Sequence, residues 1–254
     1  MKSLLRWSAA LGLMGGVMLT TLQVGIQRAF ALTDEQVMEQ LRGVPVFMLT
    51  DQRGAPLEAR AEGQDQSVTG VFISQQDAAN FLTSLRQNNP QLGQSVQVSP
   101  VSLAEVYQLA RRSEDSDLRF QFVPMQPQVQ TAVTLLQQSG QNVQEFNSVP
   151  LFMARLSNEG DRYLSIQQGE QAAVLLFFKR EDLQATIDRL QQEQPDVASQ
   201  MTIQVTSLEG IIEQLRESED AAASQILLVP PRESIDYIRQ LQPQQGQPQP
   251  QPQQ

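Results

Sequence analysis

Val44-Pro45-Val46-Phe47-Met48 returns 105 residues later as Val149-Pro150-Leu151-Phe152-Met153. The same offset pairs Phe72 with Phe177, Asp77 with Asp182, Leu85 with Leu190 and Pro90 with Pro195. It carries Ser102-Leu103 onto Ser207-Leu208, and Arg111, Ser113, Glu114 and Asp115 onto Arg216, Ser218, Glu219 and Asp220. One inserted residue later, Val123-Pro124 answers Val229-Pro230. Self-similarity at one spacing is the mark of a repeated structural unit. The pattern therefore predicts two tandem copies of one module, residues 44–138 and 149–241.

Each copy reads as the same series of elements. The first strand spans 44–50 or 149–155, with its proline at a strand start or edge, where a missing N–H is tolerated. Turns at Gln52-Arg53-Gly54 and Asn158-Glu159-Gly160 lead to second strands over 56–61 and 162–166. The third strand, 68–73 or 172–178, is almost continuously apolar, as a strand covered on both faces must be. A helix follows, with Ala78, Phe81, Leu82 and Leu85, or Leu183, Ile187 and Leu190, on one face. Pro90 and Pro195 lie beyond its end. An alternating strand, a helix capped by Ser102 or Ser207, a strand ending at Val-Pro and a last helix complete the unit. The expected fold is α/β (α+β), two βββαβαβα modules forming a two-lobed, pseudo-twofold protein. The pattern fits either separate lobes or one shared sheet.

Two flanks lie outside the repeat. Residues 33–42 read as a short helix capped by Thr33 with Gln36. Residues 242–254 are almost only Gln and Pro, a composition expected to stay extended and disordered as a spacer.

Residues 1–31 have the layout of a secretory signal. Lys2 and Arg6 are followed by the apolar Ala9–Leu19, and Ala29-Phe30-Ala31 supplies the small-x-small cleavage pattern. Glycines 12, 15 and 16 and polar Thr20, Thr21 and Gln23 argue against a membrane span. The expected localisation is the periplasm, with the thylakoid lumen as the other compartment such a signal serves. Removing 1–31 leaves 15 basic against 28 acidic groups, a net charge of −13. Such a surface repels nucleic acid and anionic lipid, so any membrane contact is peripheral.

The chain contains neither cysteine nor histidine. That excludes disulfides, thiol catalysis, zinc sites built on those residues and any Ser-His-Asp triad. No glycine-rich phosphate loop, nucleophile elbow or EF-hand is present. Lys179, the single lysine after residue 31, reads as a solvated helix-start residue. The runs Ser113-Glu114-Asp115 with Asp117, and Ser218-Glu219-Asp220, lack calcium-ligand spacing and read as solvated turns. The expectation is a protein that is not an enzyme and needs no metal or cofactor.

What remains is apolar. Phe72, Phe81, Phe177 and Phe178 gather at the third strand and following helix, and Met48 and Met153 repeat in the first strand. These six are the candidate lining of an apolar groove, with plain core packing as the competing role for each. Methionine suits a groove because it repacks around varied partners. The first strand could also receive an extended chain by strand addition. A carrier of a small apolar ligand or lipid is the alternative use of such surfaces.

Val44-Pro45-Val46-Phe47, followed by Val101-Ser102-Leu103-Ala104-Glu105-Val106-Tyr107-Gln108-Leu109, resembles the twenty-two-kilodalton subunit family of the chloroplast inner-envelope translocon, in its cyanobacterial form. The resemblance runs from about residue 33 to 241 and includes Gly70-Val71-Phe72-Ile73 and the helix containing Asp77. The counterpart in the second copy, Thr206-Ser207-Leu208-Glu209-Gly210-Ile211-Ile212, keeps the shape and loses the tyrosine. The resemblance implies a soluble, two-lobed α/β protein between two membranes, with nonpolar grooves. It also implies a chaperone-like role toward unfolded or precursor polypeptides, supporting protein transport and outer-membrane biogenesis, with outer-membrane assembly machinery as a further partner. It transfers no catalytic residue.

Overall fold

The computed structural model describes residues 17–21, 32–60, 66–113, 117–157, 162–168, 171–217 and 226–241. Strands β1 (Val17–Thr21), β2 (Pro45–Asp51), β3 (Ala59–Arg60), β4 (Ser67–Phe72), β5 (Val96–Ser102) and β6 (Leu118–Val123) precede β7 (Pro150–Leu156), β8 (Arg162–Gln168), β9 (Gln171–Phe177), β10 (Met201–Ser207) and β11 (Ile226–Val229). The helices are α1 (Asp34–Leu41), α2 (Gln75–Asn88), α3 (Pro90–Ser95), α4 (Leu103–Arg112), α5 (Gln126–Gln138), α6 (Arg180–Glu193), α7 (Pro195–Ala198), α8 (Leu208–Glu217) and α9 (Arg232–Leu241). Apart from β1, the leader at 1–31 lies outside the described residues, as do the acidic turns 114–116 and 218–220 and the tail 242–254.

The strands form two mixed sheets. In the first, β2 lies between β5 and β4, and β4 also pairs with β3 and, in parallel, with β6. In the second, β7 lies between β10 and β9, and β9 also pairs with β8 and, in parallel, with β11. Strand β1 runs antiparallel along β8. Phe47 faces Phe72 in one sheet and Phe152 faces Phe177 in the other. Pro45 faces Ser102, and Pro150 faces Ser207.

Strands β2 and β7 are therefore central, with Pro45 and Pro150 at their starts, which keeps the strand-start placement of the prolines and corrects the expectation of an open edge there. The Leu103 N–H donates to the Val44 carbonyl, so the even-numbered residues of β2 point their backbone groups toward β5. Pro45 directs its missing donor toward β4, ahead of the point where that ladder begins at Phe47. The second strand of the first sheet is also shorter than expected. Asp51 accepts from the N–H groups of Arg53 (2.8 Å) and Ala55 (2.9 Å), holding a tight turn with Gly54 at φ 87°. Pro56 then makes only an isolated bridge to Thr50 before Ala59.

Pro90 and Pro195 do more than end a helix. Each opens a further short helix, α3 or α7, at a position where the missing N–H costs nothing. Helix α3 lies so close to α2 that a Cβ on Gly93 would stand 2.6 Å from Arg86 Cα.

Alternation along each strand divides its side chains between two faces. Val46, Met48, Val71 and Ile73 of the first sheet, and Leu151, Leu176, Phe178 and Leu228 of the second, enter one central cluster with α1, α4 and α8. Phe47, Leu49 and Phe72 face the other way, under α2, and Tyr237 of α9 meets Phe47 edge-on at 5.7 Å. Phe152, Leu175 and Phe177 lie under α6, with Ala132 and Leu135 of α5. The last helix of each half thus covers the sheet of the opposite half, with α5 on β7 and β10 and α9 on β2. This exchange ties the halves together.

The exchange also supplies a helix cap. Helix α6 follows Lys179, whose side chain makes no capping bond, whereas α2 is capped by Ser74. Gln128 of α5 fills the gap: its Oε1 accepts from the Arg180 N–H at 3.0 Å, and its Nε2 donates to Glu181 at 2.8 Å. Gln128 is itself buried at 4% exposure, so its loss would remove the cap of α6 and leave a gap where the amide sits. We expect Gln128→Ala to lower the urea-unfolding free energy by about 1–3 kcal/mol.

Candidate functional site

The six candidate groove residues do not line a common surface. Met48, Phe72, Phe177 and Phe178 are 6% exposed or less, and they are distributed among three clusters. Met153 is half-buried against the central cluster. Phe81 is exposed at 48% and rests on Phe72 with ring centres 5.4 Å apart. Packing explains the correction: apolar side chains of strands covered on both faces have no open side left.

The open apolar surface lies instead between α4, β6 and α8. A cavity of about 400 Å³ there is floored by Leu103, Val106, Phe120, Phe122 and Ile212, with Tyr107 and Ala110 on its wall. Leu118, Arg111, Arg119 and Arg216 complete the lining. This volume is in the range of ligand pockets, which are typically apolar with a few placed polar groups.

Local sequence positions each wall. Ser102 accepts from the Glu105 N–H at 3.1 Å while Glu105 accepts from the Ser102 N–H at 2.8 Å, a reciprocal cap that starts α4 at Leu103. One turn on, Val106 and Tyr107 face inward. The Tyr107 hydroxyl donates to Asp34 at 2.9 Å, fastening α4 to α1, and Arg111 reaches the same carboxylate at 3.4 Å. Burial, then the bond to Asp34, raises the Tyr107 pKa above the usual tyrosine range. The phenol thus keeps its proton and its bond at neutral pH.

Helix α8 is held differently. Ser207 accepts from the Gly210 N–H at 3.1 Å, and the third position has no acidic side chain to close the box. Glu209 turns aside and accepts from the Val149 N–H, at 3.2 and 3.1 Å to its two oxygens. Burial raises its pKa above the usual glutamate range, against the backbone donors that lower it. A raised carboxyl pKa favours the protonated folded state. That stability is full below the unfolded value near 4.5 and is lost as pH rises through the folded value. Glu209→Gln keeps an acceptor without the charge. It should raise the melting temperature at neutral pH relative to the parent, with the gap closing toward pH 4, as read by calorimetry across pH.

A second, smaller cavity of about 270 Å³ lies between the end of α5 and β10, beside Leu135, Leu136, Ile203 and Val205. Sequence reading placed Tyr107, Ile212 and Phe120 in apolar elements without separating them from the core. The available signal was the alternation in Leu118–Val123, where Arg119 and Gln121 are exposed between half-buried neighbours.

Comparison with known proteins gives one consistent family. Residues 12–240 match the model of the Tic22-like family. The chain is 24% identical over 207 residues to "Protein TIC 22-like, chloroplastic" from Arabidopsis thaliana, covering 79% of this chain and 62% of that protein, so it spans less than two thirds of this relative's length. It is 24% identical over 205 residues to "Protein TIC 22, chloroplastic" from Pisum sativum, covering 80% of this chain and 75% of that one. Among solved structures, Anabaena Tic22, described as a protein-transport protein, superposes with a TM-score of 0.71 at 31% identity, covering 84% of this chain and 99% of that one. Tic22 from Plasmodium falciparum shares the fold, with a TM-score of 0.62 at 21% identity, covering 81% of this chain and 96% of that one. The chain belongs to the Tic22-like family, in its cyanobacterial form.

Proposed function

We propose that this protein is a periplasmic chaperone-like factor that binds unfolded or translocating polypeptides and so supports envelope protein transport and outer-membrane biogenesis. The observation that carries the reading is the open, apolar cavity between α4, β6 and α8, on a chain otherwise rich in acidic groups. A cavity of this size accepts one or two apolar side chains of a chain passing over the surface, while like charge keeps the carriers themselves apart. The description of Anabaena Tic22 as a protein of protein transport supports the same direction. The secretory layout of residues 1–31 supports export. The chain in this reading is a duplicated βββαβαβα module. The support is the recurrence of the Phe47–Phe72 and Pro45–Ser102 pairings as Phe152–Phe177 and Pro150–Ser207. Catalysis has no part in the proposal.

The test is suppression of aggregation. A urea-unfolded outer-membrane β-barrel protein diluted into buffer should scatter less light in the presence of this protein, and should be retained on it in pull-downs. Full aggregation with no retention would sink the proposal. If, instead, native mass spectrometry of protein from its host showed a stoichiometric small apolar ligand in the cavity, the protein would be a carrier.

A further inference from the structure

Antiparallel pairing points alternate residues of a strand toward and away from its partner. The Ser157 N–H donates to the Gln200 carbonyl and the Leu208 N–H to the Val149 carbonyl, at the two ends of the β7–β10 ladder. The even-numbered residues of β10 therefore bond to β7. Ile203 and Val205 point their N–H and C=O groups away from it, and β7 is the one strand paired with β10 among the described residues.

The corresponding strand of the first sheet is closed to such pairing. In β5 the even-numbered residues face outward by the same reasoning, and one of them is Pro100. A proline on the outward register removes the donor that an added strand needs, a common way of blunting a sheet edge. At the same place in β10 stands Val205, which keeps its donor. Met201–Ser207 contains neither proline nor charge, the other usual protections. Directly beside the open groups lies the 270 Å³ cavity between Ile203, Val205 and the α5 residues Leu135 and Leu136.

We propose that β10 is a strand-addition site for an extended segment of a client polypeptide. The segment bonds to the outward groups of Ile203 and Val205, and every second side chain enters the cavity against Leu135 and Leu136. Backbone pairing gives affinity independent of sequence, and the cavity selects segments with alternating apolar residues, such as those that form β-strands. Unpaired, regularly spaced donors and acceptors are complementary to another extended backbone, which is why the occupant is a polypeptide. The inference rests on the client-binding role and assigns it a second, separate contact.

The probe is a fluorescein-labelled heptapeptide alternating valine and threonine between terminal lysines, titrated into the full chain by fluorescence anisotropy. Hydrogen exchange of the 201–207 segment is read at saturation. We expect saturable binding, slowed exchange at Ile203 and Val205, and about tenfold weaker binding to Val205→Pro, which copies Pro100. A peptide N-methylated on its edge-facing amides should lose a similar factor against the unmodified protein, a comparison independent of how the variant folds. Equal affinity of the methylated and parent peptides overturns the inference, as does binding without protection at 203 and 205. If the unfolded barrel protein binds but the heptapeptide does not, this site fails and the client-binding role stands. If neither binds, both fail. Sedimentation showing a dimer that Val205→Pro dissolves would assign the edge to a second copy of this chain and overturn the proposal.

Discussion

Phe178→Ala should lower the unfolding free energy by about 3–5 kcal/mol and the melting temperature by about 10 °C or more. Phe178 is fully buried in the central cluster, where residues of both sheets meet around α1, α4 and α8. Truncating it removes the transfer free energy of a whole ring and leaves a hole among side chains set on rigid strands, which cannot collapse into it. A protein of this size has about 5–15 kcal/mol in all, so the loss is a large fraction. Because α5 and α9 cross between halves, the loss should appear as one shifted calorimetric transition. A new early transition with an unmoved late one would show that the halves unfold separately and that the exchange does not couple them.

The second large effect is on binding. Ile212→Asp should weaken association with an unfolded barrel protein by about tenfold or more, measured at a temperature where the variant stays folded, because Ile212 also packs against the central cluster and its loss lowers stability. Ile212 is half-buried on α8, with its side chain on the floor of the larger cavity. A bound apolar group covering roughly 60–80 Å² of this floor contributes about 1.5–2 kcal/mol, and a carboxylate there must also be desolvated. Ile212→Leu keeps the apolar area and should retain binding. The check is a titration by anisotropy with circular dichroism on each variant. Unchanged binding by the aspartate variant would remove this cavity from the account.

Much of the framework is legible in the sequence because it depends on local chemistry. Thr33 with Gln36, and Ser102 with Glu105, start helices by the reciprocal caps their spacing implies. The continuous apolar run at 172–178 falls on strand β9, Gln171–Phe177, which is covered on both faces. What was not legible depends on long-range placement. Periodicity marks Tyr107, Leu183 and Ile212 alike as inward-facing, but only the packing of α8 against α4 and β6 leaves a space beside Ile212. Phe72, Phe177 and Phe178 of the third strand are closed into the core by cover on both faces of the sheet, whereas Phe81 on the following helix stays exposed. Nor could the sequence show that Gln128, a polar residue near a proline, would cross to the other half and cap α6. Differences between the corresponding positions of the two sheets are more telling than the matches. Glu209 binds the start of β7 in place of a capping box, and Val205 stands where Pro100 closes the other sheet.

Client contact at the cavity between α4, β6 and α8 is read by site-specific photo-crosslinking of the full chain to an unfolded outer-membrane barrel protein. A photoreactive residue would replace Ile212 in one protein and the exposed Asp196 of α7, as a control, in another. Position 212 should give a strong client adduct, competed by excess unlabelled client, and position 196 little. Equal yields from the two positions, or an adduct from 196 with none from 212, would contradict client contact at the cavity.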